Sequence, residues 1–464
     1  MKKMYIRQIA EGVKGQVRAG SPDGLVTGIS TDSRTAGEGD LFFPLKGERF
    51  DAHDFIPQAL KQGCRSFVVS RKDSLDMLKE AEGVNVIEAA DTTKALQDLS
   101  SYYLDMLGIR KIAVTGSTGK TTTRDMIKCI LGTKYKTYSN EGNFNNHIGV
   151  PLTILSIGED AEIGVFEMGM DKFGEIHDLV DIVRPDTGVI TNIGVSHIEN
   201  LGSREGIFKA KMEITDYFDE KNTLVVYEDD EYLNRDRIDG NYRLITAGRN
   251  GRCDFIVSHL EDRGIDGIRF MLEHDEEAQM FELPVPGAHN AYNAAVAAAA
   301  ASLEGITLRE AEQALRNLEL TDKRLTVRTN DGIKVIDDTY NASPSSMKSA
   351  LDALASTNGI RRVAILGDMF ELGEDSPRFH REVGQHAAGC GLDLLITVGE
   401  LSANIRDGAL GTMDENKVMH FENKEDFMKE MNNIIDRGDV ILVKGSNGMG
   451  MFDIVDLIME RQEQ

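Results

Sequence analysis

At 464 residues the chain is too long for one compact core, and its length suggests about three domains. No apolar run approaches the ~20 residues of a membrane-spanning helix, and the start, Met-Lys-Lys-Met-Tyr-Ile-Arg, lacks an apolar signal core, so a cytoplasmic protein is expected. The net charge of −25 argues against non-specific nucleic-acid binding, which needs basic surface, and leaves a small polyanionic substrate open. Cys64, Cys129, Cys253 and Cys390 lie too far apart for a zinc motif or a disulfide framework and read as buried thiols.

Residues 1–108 read as a small α/β unit. A polar turn (Gly28 to Arg34) follows a short strand, and Gly39 to Phe55 is a strand feeding a glycine-rich loop of mixed charge. A helix over 56–62, strands over 66–70 and 84–88 and a helix over 92–107 complete it. Ser33, Arg34 and Lys46 suit a diphosphate, although such residues taken alone are more often plain turn residues and solvated charges.

The second unit spans 109–320 and opens on the stretch that organises the chain. A β-branched run, Ile112 to Val114, reads as a buried parallel strand. Gly116, Ser117, Thr118 and Gly119 make a tight turn, and a helix begins at Lys120. Strand, glycine turn and helix N-terminus converge N–H groups and a positive dipole end on a phosphate. Lys120 adds a cation for the outer phosphates, and Thr121 an oxygen for magnesium. The loop is a variant of the phosphate-binding pattern, with Val114 where the first glycine usually stands.

Farther on, Asn140 to Pro151 is rich in amides, including Asn145 and Asn146, and reads either as a polar-ligand loop or as a set of Asx-turns. The apolar strand Ile163 to Gly169 carries Glu167 at its end, where ligands bind in open α/β sheets and where a carboxylate suits magnesium. A strand from Thr187 delivers Ser196, His197 and Glu199 to the equivalent rim, with His197 either ligand or structural. In the helix over 206–214, Lys209 and Lys211 project to different faces, so only one can meet the site. Strands at 224–227 and 243–247 precede an antiparallel ribbon over 253–283. Asn290 and Asn293 open an Ala-rich helix, sharing a face that fits a base edge or a cap.

The third unit spans 321–464. A strand ending in Asp337 and Asp338 is followed by strands at 362–366, 392–398 and 440–443, linked by helical stretches: a doubly wound, Rossmann-like parallel module. The loops Gly367 to Gly373 and Lys444 to Gly448 lie at strand ends, where substrate would bind.

Assembled, the chain resembles the Mur ligase family of peptidoglycan synthesis over nearly its whole length. The family traits are Thr-Gly-Ser-Thr-Gly-Lys-Thr-Thr (115–122), Glu167, His197, Lys211, His289-Asn290 with Asn293, Lys323-Arg324 and Asp338. The stretches 45–55, 143–153, 340–347 and 367–373 are similar to the family's dipeptide-adding type. The resemblance implies a UDP-binding N-terminal domain, a central ATPase domain and a C-terminal domain receiving the incoming amine. It further implies D-alanyl-D-alanine and UDP-N-acetylmuramoyl-tripeptide as substrates, joined through an acyl phosphate in a monomer, with another Mur or folylpolyglutamate-type ligase as the alternative. By the same resemblance, Gly116 to Thr122, Asn290, Asn293, Arg324 and Asp338 contact ATP. Thr121, Glu167 and His197 hold Mg2+, with Lys211 as an N6-carboxylated ligand; Ser33, Arg34, Lys46, Asn145 and Asn146 meet the UDP substrate. One departure is Asn447, which stands where the family's C-terminal Lys-Gly-Ser motif continues with Arg.

Overall fold

The computed structural model describes residues 1–461 apart from 48, 322 and 360, so Glu48 of the loop over 45–55 lies outside the described residues. The chain divides into two units. One comprises Met1–Ala113, Lys134–Met170 and Gly174–Asp186; the other comprises Val114–Thr133, Asp171–Phe173 and everything from Thr187. The strand Arg110–Thr115 passes from the first into the second.

The first unit holds a five-stranded sheet in the order Gln16–Ala19, Asn85–Glu88, Ser66–Val69, Asp40–Phe42, Gly28–Ser30. Only its first pair is antiparallel. Ser66–Val69 is wholly buried, as an apolar run between helix-covered faces must be. The helix Thr92–Leu107 starts where the Asp91 carboxylate accepts from Lys94 N at 2.8 Å and stops at Gly108, whose φ of 62° is left-handed. It buries the stripe Ala95, Leu96, Leu99, Tyr103 and Leu104, and the Tyr103 hydroxyl donates to Ile157 O at 2.6 Å. Ile163–Glu167, fully buried, pairs in parallel with Thr137–Ser139. The helices Ile6–Gly12 and Lys72–Lys79 were not anticipated; two turns carry too few periodic positions to register in sequence.

In the second unit, Thr187–Ile190, Thr223–Tyr227 and Arg243–Gly248 run parallel in that order. Phe255–Asp262, Ile268–His274 and Glu277–Leu283 form the expected antiparallel ribbon, joined in parallel to Arg243–Gly248 through Ala247 and Gly248. The helix Lys120–Leu131 packs on the Ala-rich helix His289–Ser302, in which Ala294 to Ala301 are all buried. Side chains that small let a helix be surrounded on every face.

The C-terminal sheet has the order Thr326–Asn330, Ile333–Asp338, Asp439–Lys444, Arg361–Gly367, Leu394–Val398, Val418–Phe421, parallel but for its first edge. One face packs Leu351, Leu354, Val383 and Ile405 from the intervening helices, the other Phe427, Met431, Ile454 and Ile458, so the module is doubly wound. The two edge strands escape the sequence reading because half-exposed runs lack the continuous apolar signal of buried ones. No described helix is long and apolar enough to cross a membrane.

Candidate active site

The phosphate loop is clamped from the neighbouring strand end. Gly116 has a φ of +150°, and a Cβ there would collide with Thr191 Oγ1. Thr191 Oγ1 donates to Thr118 O at 2.5 Å. The Asn192 amide grips Thr118 twice, accepting from its N–H and donating to its carbonyl, each at 3.0 Å. Ser117 N donates to Asn192 O at 3.0 Å, and Ser117 Oγ accepts from Gly194 N at 2.8 Å. In this conformation the N–H groups of Ser117 and Thr118 are thus committed to Asn192 rather than turned to a ligand. Lys120 Nζ donates to Gly116 O at 2.9 Å, folding the cation over its own loop. Gly119, with φ +78°, sits against the Asn293 amide. Thr121 and Thr122 are buried in the helix's first turn. Thr191 and Asn192 were missed as functional residues; two polar side chains following a buried Gly-Val-Ile run were the available signal.

The choice between the two lysines is made by packing. The helix Arg204–Met212 is capped by Ser203, which accepts from Gly206 N at 3.1 Å. It turns Lys211 inward, 2% exposed, and leaves Lys209 in solvent near Glu205. Burial, and then the positive charge of Lys120, hold the Lys211 amine well below the ordinary lysine value. An uncharged amine is a nucleophile and can take up carbon dioxide.

His197 lies on the rim beyond Thr187–Ile190. Its Nδ1 is 2.8 Å from Glu371 Oε2 and 3.1 Å from Asp171 Oδ1, although neither approach has the angle of a directed hydrogen bond. The histidine holds the Glu371 carboxyl below its ordinary value. Donor atoms of all three lie within 4.8 Å of one another, an arrangement able to hold a cation. His197 and Glu371 have φ of 61° and 62°, a conformation that costs a non-glycine residue roughly 1–3 kcal/mol and gathers at functional sites. Glu371 belongs to the loop Gly367 to Gly373 that the sequence places at a strand end, but neither it nor Asp171 could be singled out as a neighbour of His197 from local sequence.

Glu167 ends its strand at 1% exposure and accepts from Asn145 Nδ2 at 2.9 Å. Asn140 clips the same residue through its backbone, accepting from Glu167 N at 2.8 Å and donating to Glu167 O at 2.9 Å. Asn146 instead makes an Asx-turn just ahead of the helix Gly149–Ser156, accepting from Ile148 N at 3.1 Å and Gly149 N at 2.8 Å. The amide loop therefore mixes both readings: Asn145 faces the carboxylate, and Asn146 makes a turn.

Asn290 donates to Pro286 O at 2.7 Å and accepts from Asn293 Nδ2 at 2.9 Å, a buried pair at the start of the Ala-rich helix. The Arg324 guanidinium stacks over the Tyr340 ring at 3.9 Å, its Nε buried and without a partner among the described residues. Asp338 is paired with Lys444 at 2.5 Å and accepts from Leu325 N at 3.3 Å. In the first unit, Ser33 Oγ donates to Gln58 at 3.0 Å, Arg34 folds onto Asp32 at 2.6 Å, and Lys46 is exposed in a bridge with Asp51. Nothing in that unit draws Ser33, Arg34 and Lys46 into one constellation among the described residues. Asn447 is exposed and opens a short turn, Asn447–Met449. The thiols also divide: Cys64 and Cys253 are buried as expected, while Cys129 and Cys390 are only partly so.

Three family models match the chain: the Mur ligase family catalytic domain over residues 25–104, the Mur ligase middle domain over 114–301, and the Mur ligase glutamate ligase domain over 323–447. The chain is 40% identical over 463 residues to the UDP-N-acetylmuramoyl-tripeptide–D-alanyl-D-alanine ligase of Bacillus subtilis (strain 168), covering 99% of each. A crystal structure of MurF from Acinetobacter baumannii matches with a TM-score of 0.91 at 31% identity, over 99% of this chain and 100% of that one. MurF ligase from Thermotoga maritima in complex with ADP matches with a TM-score of 0.82 at 28% identity, over 93% and 97%. With its matched segments in that order and its length covered throughout, the chain belongs to the Mur ligase family.

Proposed function

We propose that this chain is the ATP-dependent ligase that joins D-alanyl-D-alanine to UDP-N-acetylmuramoyl-tripeptide, completing the pentapeptide precursor of peptidoglycan. The observation that carries the reading is the burial of Lys211, at 2% exposure, in the unit whose clamped phosphate loop carries Lys120.

In the first step the tripeptide's terminal carboxylate attacks the γ-phosphorus of ATP, ADP leaves, and an acyl phosphate forms. In the second, the free amine of the dipeptide attacks that carbonyl; phosphate departs and an amide remains. Two anions must meet in the first step, so the barrier is largely electrostatic. Lys120 swings from Gly116 O to the outer phosphates, and the helix Lys120–Leu131 presents its N-terminus to them. Gly116 to Thr122 line the phosphates; Asn290 and Asn293 take the adenine side, and Arg324 and Asp338 reach the nucleotide from the third domain. Ser33, Arg34, Lys46, Asn145 and Asn146 are assigned to the UDP substrate. The acyl phosphate must be kept from water, which favours closure of domains over the site.

The buried hydroxyl of Thr121 and carboxylate of Glu167 are hard oxygen donors of the kind Mg2+ takes. Together with His197 and Lys211 in its N6-carboxylated form, they are the proposed ligands. A cation held there supplies charge neutralisation for the transferring phosphoryl group. The proposed domain division is 1–108, 109–320 and 321–464, in a cytoplasmic monomer.

The deciding experiment is phosphate release measured across a panel of donors and acceptors. Turnover is expected with a lysine- or diaminopimelate-containing UDP-tripeptide and D-alanyl-D-alanine together. Release with glutamate or lysine as acceptor, and none with D-alanyl-D-alanine, would overturn the assignment in favour of an amino-acid-adding relative.

A further inference from the structure

We propose that Asp352, His386 and Cys390, on adjoining helices of the C-terminal module, form a binding site for a zinc ion, separate from every residue assigned above. His386 and Cys390 stand four apart at the end of the helix Ser376–Gly389, so they share one face. Asp352 projects from Pro344–Ala355, which packs against that helix. One donor atom from each residue falls within 4.8 Å of the other two. His386 Nε2 is already 2.7 Å from Asp352 Oδ1, and Cys390 Sγ donates to His386 O at 3.3 Å.

Carboxylate, imidazole and thiol are the mixed donors of zinc, whereas magnesium and calcium demand oxygen throughout. Three protein ligands leave a fourth, tetrahedral position for water. Access is open, because the Asp352 side chain is 59% exposed and that of His386 32%. The two packed helices hold the donors in place beforehand, and binding requires only that the His386–Asp352 pair part slightly to admit the ion. Arg362 is the nearby opposing charge: its guanidinium spans Ala355 O at 2.9 Å and Gly391 O at 2.8 Å. It disfavours a cation and favours the thiolate. Burial, reinforced by Asp352, pushes the Cys390 thiol up to about 11, so zinc binding must displace that proton.

The test is a titration of the full-length, metal-stripped protein with Co2+ as a spectroscopic stand-in. A thiolate-to-cobalt charge-transfer band is expected at one equivalent, abolished by added Zn2+. Cys390→Ser should remove the band, and His386→Ala and Asp352→Asn should each weaken binding about tenfold or more, the loss of one ligand. In the unaltered chain, Zn2+ should slow alkylation of Cys390 by iodoacetamide while leaving Cys129 unaffected, read on the separated peptides. That measurement decides the matter even if a variant fails to fold. No thiolate band, a band that survives Cys390→Ser, or a Cys390 alkylated equally fast with zinc present would each overturn the site.

Discussion

Lys209 and Lys211 lie two positions apart on one helix, and packing gives them opposite environments. Lys209 keeps its water; Lys211 loses it and faces Lys120, so its charged form is disfavoured twice. Replacing Lys211 by Ala should abolish ligation, and excess bicarbonate should not restore it, because no amine remains to be carboxylated. Near-normal phosphate release by that variant would remove Lys211 from the chemistry. Lys120 acts differently, through charge placed where it develops. Lys120→Ala is expected to lower kcat/KM about 10²–10³-fold, the cost of one oriented stabilising group. Unchanged ATP turnover in that variant would contradict the phosphate-loop assignment. His197 could be named from sequence, but its partner Glu371 could not. The two are 174 positions apart in the chain, and only the folded C-terminal loop brings the carboxylate to the ring.

Among the elements, the Ala-rich helix His289–Ser302 carries the tightest packing constraint. It touches the helix that begins at Lys120 and the strands Thr223–Tyr227, Arg243–Gly248, Phe255–Asp262 and Ile268–His274, and its start holds the Asn290–Asn293 pair. Ala297 has no exposed surface. Ala297→Leu forces three extra carbons into a filled space and should destabilise the protein by about 1–3 kcal/mol. A lowered urea midpoint with an unchanged m-value is the expected result; an unshifted midpoint would mean that slack exists beside this helix. The strand end carrying Thr191 and Asn192 shows why loops must be read together with their neighbours. The glycine turn is legible as a phosphate site on local grounds, yet its shape is maintained by an amide about 74 residues downstream.

For the molecule as a whole, acid stability should record the partial burial of His289. Its value falls from 6.5 to about 4, chiefly through burial, with Lys444 adding to the fall and Asp338 opposing it. The folded-state value lies below the unfolded one, so between those limits the unfolded chain binds more protons. The stability due to a neutral His289 is therefore complete above pH 6.5 and lost as pH drops toward 4, by at most about 3 kcal/mol. Half-buried Asp262 and buried Asp337 and Asp368, whose carboxyls are raised by desolvation, contribute with the opposite sign as pH rises through their folded values. The isolating measurement is the difference between the unaltered chain and His289→Gln in urea midpoints from pH 4 to 7. The gap should widen with rising pH and flatten above 6.5; a constant gap would show that His289 does not titrate with folding.

The sequence by itself determined the strand–glycine–helix unit at Lys120, the buried parallel strands ending in Glu167 and Asp338, and the doubly wound C-terminal module. These rest on periodicity, glycine placement and apolar runs, which act over a few neighbouring residues. Only the tertiary structure decided which of two lysines is buried, which asparagine holds a carboxylate and which one makes a turn, and what meets His197. Each of those outcomes depends on desolvation or on a partner distant in the chain, and both are set by the packing of whole elements rather than by local sequence.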